Sequence, residues 1–498
     1  MTKKHDVLLI LEGTYPYNGG GVSTWAHILC NEIKNANFTL YSINASYEAN
    51  SKYELSKNVK KTIQVPQWAP LEPKELIDYG KKYYKLVYKK KYNDEKIIDE
   101  QFIPLFASFL KNISQPESDP AELDIIIHDI WKFFQQHDYK KTMQRQKVWE
   151  TFYEISKKEL QSDFDNQTTL YDFTEGLRWI YRFLIPITIK VPKCDISHIT
   201  LAGFPILPAL VLKYKFGTPI IVTEHGVFIR ERLLAINAAE YSFFLKKLLI
   251  RFSEAITRLV YYKADLILSV NKFNMTWEKL YGADPSKIKI IYNGIDHLLF
   301  SPRPKPEHLK NIPTVVAAAR VFDLKDIITM IKSCQVVREK IPNVRYIVYG
   351  DNNAVPEYTA ECNLLIKELG LEDNFIFGGI NTNPHLLFCE GDISILTSIS
   401  EGFPYTVIES MSCAIPVVAT DVGGVAEALD ENCGFICKPK DYNEIGNRVI
   451  ELLQNDELRI QKGVNAREKV IANFTIGTFI SEYEKAYESV LETHHLTP

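Results

Sequence analysis

The chain has 498 residues, 46 % of them hydrophobic and 24 % charged, with a formal net charge of -4 at pH 7. That length corresponds to about three ordinary domains, and because α/β lobes run large, two units are expected. The nearly balanced charge gives no reason to expect nucleic acid, and the eight scattered cysteines, without a metal-ligand spacing, read as reduced thiols of a cytoplasmic protein.

The apolar run at 7–11 is too short for a signal peptide and reads as a first β-strand. A turn-rich loop with Gly19, Gly20 and Gly21 follows, and then a helix from about Ser23, as in a nucleotide-binding fold without the GxGxxG spacing. Glycines in such a loop let backbone N–H groups reach an anion, although a merely flexible turn has the same composition. From about 66 to 190, tyrosine, lysine and phenylalanine recur at helical spacing, which predicts a helical insertion. Strands are expected again at 195–199, 219–223, 265–270 and 288–292. His225 follows the second of these, where a structural hydrogen-bonding group and a catalytic one look alike. The helix around Lys246, Lys247 and Arg251 alternates basic and apolar residues, so contact with a membrane surface stands beside ordinary packing. No stretch reaches eighteen apolar residues, and no membrane span is expected.

Pro302, Pro304 and Pro306 at alternate positions predict an extended connection and a domain boundary, 1–300 with a C-terminal helix at about 475–498 on one side and 301–474 on the other. The second half alternates strands at 314–320, 344–350, 374–378, 392–398 and 415–419 with helices at 326–340, 357–369, 384–390 and 405–413, the pattern of a parallel sheet covered by helices. Arg320 and Lys325 fall where the first of those strands gives way to helix, a position suited to phosphate. Either could also be a solvated cation, but two cations opposing a helix dipole make better sense with an anion between them. Glu401 falls in a strand-to-helix loop and Glu409 on the helix after it; both carboxylates suit sugar hydroxyls, and either could be a plain surface acid. Asp163-Phe164-Asp165 matches the DxD pattern of metal-dependent transferases but lies in a polar stretch rather than after a strand, so a metal is not expected there.

Asn293-Gly294-Ile-Asp296, the Arg320/Lys325 pair, the Glu401/Glu409 pair and Asp421-Val-Gly-Gly424 together resemble the signature set of retaining family-4 glycosyltransferases with the GT-B fold, over about residues 290–430. Upstream, Leu11-Glu-Gly-Thr-Tyr-Pro-Tyr17 with Gly20-Gly-Val-Ser23, and Thr223-Glu-His-Gly-Val-Phe-Ile-Arg-Glu-Arg232, are similar to the PelF-type enzymes of Pel exopolysaccharide synthesis. The resemblance implies an α/β fold of two Rossmann-like domains facing across a cleft, the first carrying the helical insertion and the acceptor side, the second binding the donor nucleotide sugar. It also implies retaining, metal-independent transfer of a hexosyl unit from a UDP-sugar, UDP-glucose foremost, to a sugar hydroxyl, without a cofactor. Arg320 and Lys325 would then hold the leaving diphosphate, Glu401 and His225 the donor sugar, and Glu409 the ribose. Gly402, Phe403, Asn293 and the loop of Gly19, Gly20 and Gly21 complete the expected substrate contacts. Biofilm polysaccharide synthesis implies a carbohydrate acceptor and association with a membrane synthase complex at the inner face of the plasma membrane. A sugar phosphorylase and a nucleotide-sugar sensor remain open on the same architecture.

Overall fold

The computed structural model describes residues 4–48, 50–70, 72–78, 84, 94–160, 168–381 and 383–495, which fall into two compact units. Unit 1 comprises Met1–Ser269, Met275–Lys289 and Glu484–Pro498, and unit 2 comprises Val270–Asn274 and Ile290–Tyr483.

Unit 1 is built on seven strands, β1 (His5–Glu12), β2 (Ala36–Ile43), β3 (Val59–Val65), β4 (Ile196–Ile199), β5 (Ile220–Glu224), β6 (Leu266–Ser269) and β7 (Ile288–Ile290), in the order β3-β2-β1-β4-β5-β6-β7. The pairings β1 with β2 and with β4, β2 with β3, β4 with β5 and β5 with β6 are parallel. Central parallel strands are covered on both faces, so they read as continuous apolar runs such as Val7 to Leu11. β3 is an edge strand with Lys60 and Lys61 exposed, the composition that blunts an open edge.

Between β3 and β4 the described regular elements are all helical: Pro73–Asp78, Glu95–Ile97, a π-turn at Ile98–Phe102, Ile103–Ser114, Pro120–Gln136, Tyr139–Met143, Gln146–Leu160, Leu170–Leu184 and a 3-10 turn at Ile185–Thr188. Local signals start these helices. Asp119 accepts from the N–H groups of Ala121 and Glu122 ahead of Pro120, and Thr169 with Asp172 forms a capping box. Phe102, Phe106, Phe109, Ile127, Phe134, Phe152, Ile180 and Phe183 pack into one core with Leu8, Ile10 and Tyr41 of the sheet. Fully burying each such side chain is worth about 1.5–3 kcal/mol. Helix Phe243–Lys263 adds Phe244, Leu248, Leu249 and Phe252 to that core, so the apolar half of its alternation is packing. Among the described residues no helix is long and apolar enough to cross a membrane.

Unit 2 holds six strands, β8 (Thr314–Ala318), β9 (Arg345–Tyr349), β10 (Phe375–Gly379), β11 (Ile393–Leu396), β12 (Val417–Thr420) and β13 (Gly434–Cys437), in the order β10-β9-β8-β11-β12-β13, all parallel. The expected strands and helices of this half are present with ends within two residues, the helix at 384–390 as Pro384–Leu387 plus a 3-10 turn at Phe388–Glu390. β13, unforeseen, is a short edge strand opening on Gly434.

The domain boundary differs from the sequence expectation at both joints. The proline-alternating stretch lies inside unit 2, where Lys305 Nζ contacts Asp392 Oδ2 at 2.6 Å and the carbonyl of Ile312 at 2.7 Å. Ile295 is likewise bonded to Phe474 and bridges Thr475, so the chain joins unit 2 from Ile290 onward. The C-terminal helix Ile476–His495 is divided, with Phe479 and Tyr483 in unit 2 and Tyr487 in unit 1.

Candidate functional site

In a doubly wound sheet, ligands bind beyond the carboxyl ends of the strands where the strand order reverses. In unit 2 that point lies between β8 and β11. β8 runs out into Arg320 and a 3-10 turn, Asp323–Lys325; β11 runs out into Thr397, Ser398 and Glu401. The two exits are tied by side chains. Lys325 Nζ donates to Glu401 Oε1 at 2.5 Å, and the Ser398 hydroxyl donates to the same oxygen at 2.5 Å. Glu401 Oε2 takes no hydrogen bond among the described residues. Thr397 Oγ1 donates to the carbonyls of both Lys325 and Asp326 at 3.0 Å, and the N–H of Ile399 bonds the carbonyl of Leu324 at 2.9 Å.

The helix start after Lys325 differs from the expectation. Asp326, left-handed at φ 46°, caps helix Ile327–Arg338 by accepting from the N–H of Thr329 at 3.2 Å. That carboxylate opposes the helix N-terminal charge, so the dipole alone does not require an added anion. Arg320 is exposed, with its guanidinium 5.1 Å from the Phe322 ring centre and without an ion pair among the described residues.

A second loop braces Glu401 from behind. Gly423 has φ 55°, and a Cβ there would fall 1.8 Å from the Glu401 carbonyl oxygen. Gly424 N–H donates to the Gly402 carbonyl at 2.7 Å. The two glycines of Asp421-Val-Gly-Gly424 thus permit backbone contact that no side chain allows. Asn293 Nδ2 donates to the Phe403 carbonyl at 2.8 Å. The Phe403 ring itself is buried, with centres 5.0 Å from Tyr292 and 5.1 Å from Phe474, so near the site both residues act through the backbone they hold. Glu409 lies on helix Tyr405–Ser412, and burial pushes its carboxyl up to about 7.

In unit 1 the order reverses between β1 and β4. The glycine loop follows β1, with Gly20 at φ 138° just before helix Gly21–Glu32, and Cβ atoms at Gly19 or Gly20 would meet nothing within 4 Å. His225 follows β5, its ring 4.5 Å from that of Trp25 on this helix. Burial pulls its imidazole down to about 3, and its Nε2 is buried without a hydrogen bond. It is a neutral group near pH 7.

Sequence reasoning passed over the buried acids beside it. Glu224 accepts from the N–H groups of Ala202 and Phe228 at 3.1 and 3.3 Å and from Tyr261 OH at 3.1 Å. Burial, with Glu278 nearby, pushes its carboxyl up to about 8. The signal was present in the Glu224-His225 pair closing an apolar strand. Asp163-Phe164-Asp165 lies outside the described residues; among the described ones, no three His, Cys, Asp or Glu side chains group as a metal site.

Residues 5–286 match the family model described as Domain of unknown function (DUF3492). The chain belongs to this family. Residues 302–469 match the model described as Glycosyl transferases group 1, so a group 1 domain follows the DUF3492 domain. Among curated relatives, the chain is 28 % identical over 217 residues to the N-acetyl-alpha-D-glucosaminyl L-malate synthase of Bacillus anthracis, covering 42 % of this chain and 55 % of that protein. It is 26 % identical over 310 residues to the N-acetylgalactosamine-N,N'-diacetylbacillosaminyl-diphospho-undecaprenol 4-alpha-N-acetylgalactosaminyltransferase of Campylobacter jejuni, covering 55 % and 81 %. The match thus spans about half the length of the Bacillus relative. Among solved structures, sucrose-phosphate synthase of Thermosynechococcus elongatus superposes with TM-score 0.62 at 15 % identity, covering 98 % of this chain and 100 % of that one. Anabaena HepE in complex with UDP gives TM-score 0.58 at 15 % identity, covering 97 % and 99 %. The fold is GT-B, with Rossmann-like units of seven and six parallel strands.

The close approach at Gly423 yields a paired expectation. Gly423→Ala should lower stability by about 1–3 kcal/mol, because neither the positive φ nor the 1.8 Å approach to Glu401 can be kept. Gly19→Ala, with open space at its Cβ, should stay within about 0.5 kcal/mol of the parent. Thermal denaturation of both variants checks the contrast, and equal losses would show that the Gly423 loop relaxes freely.

Proposed function

We propose that the protein is a retaining glycosyltransferase that moves a hexosyl unit from a nucleotide sugar, UDP-glucose foremost, to a carbohydrate hydroxyl. The observation that carries this reading is the Lys325–Glu401 pair at the strand-order reversal of a group 1 domain, with Arg320 exposed at the same β8 exit. Binding of UDP by the structurally similar Anabaena protein supports the choice of nucleotide.

In this mechanism Arg320 and Lys325 neutralise the charge that grows on the diphosphate as the bond to the sugar breaks, the task a metal performs in other transferases. Glu401 keeps Oε1 for Lys325 and Ser398 and offers Oε2 to donor hydroxyls. Glu409 accepts the ribose diol, and the neutral His225 of unit 1 is assigned to the donor sugar. The acceptor oxygen attacks from the face the diphosphate leaves, and the departing phosphate oxygen takes the acceptor proton, so no carboxylate nucleophile is needed. The PelF-type resemblance supports a role in exopolysaccharide assembly at the cytoplasmic face of a membrane, beside a synthase complex.

Arg320→Ala and Lys325→Ala are each expected to reduce turnover of UDP-glucose about a hundredfold, the loss of about 3 kcal/mol of transition-state stabilisation. Steady-state rates of folded variants measure this; near-normal rates in both would remove them from the mechanism. Transfer should persist in EDTA, because the cations serve in place of a metal. Activity that vanishes with chelation and returns with Mn²⁺ would refute the metal-free mechanism.

Glu409 supplies a pH signature. Its carboxyl titrates near 7 in the free protein, and ribose hydroxyls bond better to the ionised form, so binding lowers that value and releases a proton. Affinity for UDP-glucose, whose diphosphate does not titrate there, should therefore rise as pH increases through about 7, and Glu409→Gln should bind more weakly without that rise. Calorimetry in two buffers of different ionisation enthalpy reads the released proton directly. Tight GDP-mannose binding with none of UDP-glucose in the same titration would overturn the donor choice.

A further inference from the structure

Unit 1 carries, at its own strand-order reversal, an aromatic enclosure that the mechanism above leaves unused. Glu12 ends β1, Phe204 lies in the loop after β4, and Trp68 follows β3. Trp179 stands on helix Leu170–Leu184 of the insertion and Arg232 on helix Phe228–Ala238. The Trp68 and Trp179 rings, both half-buried, are 5.0 Å apart between centres, and they lie 5.8 and 6.2 Å from Phe204. The Arg232 guanidinium sits 5.2 Å from the Trp179 ring centre and 5.6 Å from that of Phe204. Trp68 Nε1 donates to Glu12 Oε1 at 2.6 Å.

The cluster is built, yet its hydrogen-bonding capacity is unspent. Arg232 makes no hydrogen bond or ion pair among the described residues, and its Nε is buried without a partner. A buried donor left unpaired is costly, and a guanidinium fixed by two rings is a preorganised fork. Glu12 has only one oxygen engaged, and burial holds its carboxyl above the usual range despite Trp68 and Arg232. Two indoles beside an open fork and an open carboxylate oxygen match the two surfaces of a pyranose, its apolar C–H face and its ring of hydroxyls.

We propose that this enclosure seats the acceptor and takes an uncharged pyranose, its C–H face on Trp68 and Trp179 and two neighbouring hydroxyls bridging Arg232 and Glu12. The word acceptor rests on the glycosyltransferase reading; the sugar site does not. An acidic sugar would meet the Glu12 carboxylate as well as Arg232, and the repulsion between like charges selects the neutral ring. The insertion then supplies specificity through Trp179.

Saturation-transfer NMR on the full-length protein tests this with maltose, cellobiose and N,N'-diacetylchitobiose as neutral probes and digalacturonate as the acidic one, beside a UDP-glucose titration. At least one neutral disaccharide should bind, about tenfold more weakly in Arg232→Gln and in Trp179→Ala, and within about twofold of the parent in Trp179→Phe. UDP-glucose affinity should hold in all three. If Arg232→Gln fails to fold, Arg232→Lys keeps the cation, removes the fork and should show the same loss. The proposal falls if no neutral disaccharide binds, if only digalacturonate does, or if folded variants bind as the parent. Failure of the parent to bind UDP-glucose while a neutral disaccharide still binds would instead sink the transferase reading and leave the sugar site.

Discussion

The contact between Lys325 and Glu401 is what the unit 2 site depends on. Two opposite charges largely withdrawn from water, with Lys325 22 % and Glu401 11 % exposed at the side chain, are costly to desolvate and keep their place only while each satisfies the other. Here the attraction is supplemented by the Ser398 hydroxyl on the same oxygen, and the loops bearing the pair are locked by Thr397 and Ile399. The cation is thereby held at the carboxyl end of β8 rather than swinging in solvent as a free lysine would. The close backbone approach at Gly423 holds the main chain of Glu401. Positions 397 to 402 and 423 to 424 are therefore one mechanical assembly, although they come from two separate stretches of chain.

The two strand-order reversals are equipped differently. In unit 2 the exits carry full charges, and the surrounding carbonyls and hydroxyls serve to orient them. Around the unit 1 reversal burial and aromatic rings dominate: His225 is uncharged near pH 7, burial raises the carboxyls of Glu12 and Glu224, and the Arg232 cation lies against two rings. Desolvation is the leading cause of each of those shifts, so this end of the sheet is a low-dielectric environment in which a hydrogen bond to a sugar hydroxyl counts for more than it would in water. A pair of cations suits a diphosphate; rings beside one cation and one carboxylate suit a carbohydrate without charge.

What could be read in the sequence follows from how each segment meets solvent. In unit 2, strands such as Thr314–Ala318 and Ile393–Leu396 are covered on both faces and linked by short loops to amphipathic helices, so run length and spacing located them. The edge strands β3 and β13 were invisible because an edge tolerates Lys60, Lys61 or Gly434, which break an apolar run. The three alternating prolines marked an extended segment correctly but not a boundary, since extension says nothing about what the chain packs against. Arg320, Lys325, Glu401 and Glu409 could be singled out by position after their strands, whereas the bond across 76 residues between Lys325 and Glu401 could not. The same holds for Trp68, Trp179 and Arg232, which share no local spacing and are assembled only when the insertion folds onto the sheet.

That insertion is not an appendage. Phe102, Phe106, Phe109 and Phe183 occupy the same core as Leu8, Ile10 and Tyr41, and helix Phe243–Lys263, which follows β5 in the chain, fills the space between with Phe244, Leu248 and Phe252. Among the described residues the insertion and the sheet thus share one core, so taking the helices away would uncover the sheet. On the proposed reading, sugar preference is tuned more readily by side-chain changes at positions such as Trp179 than by exchange of the whole segment.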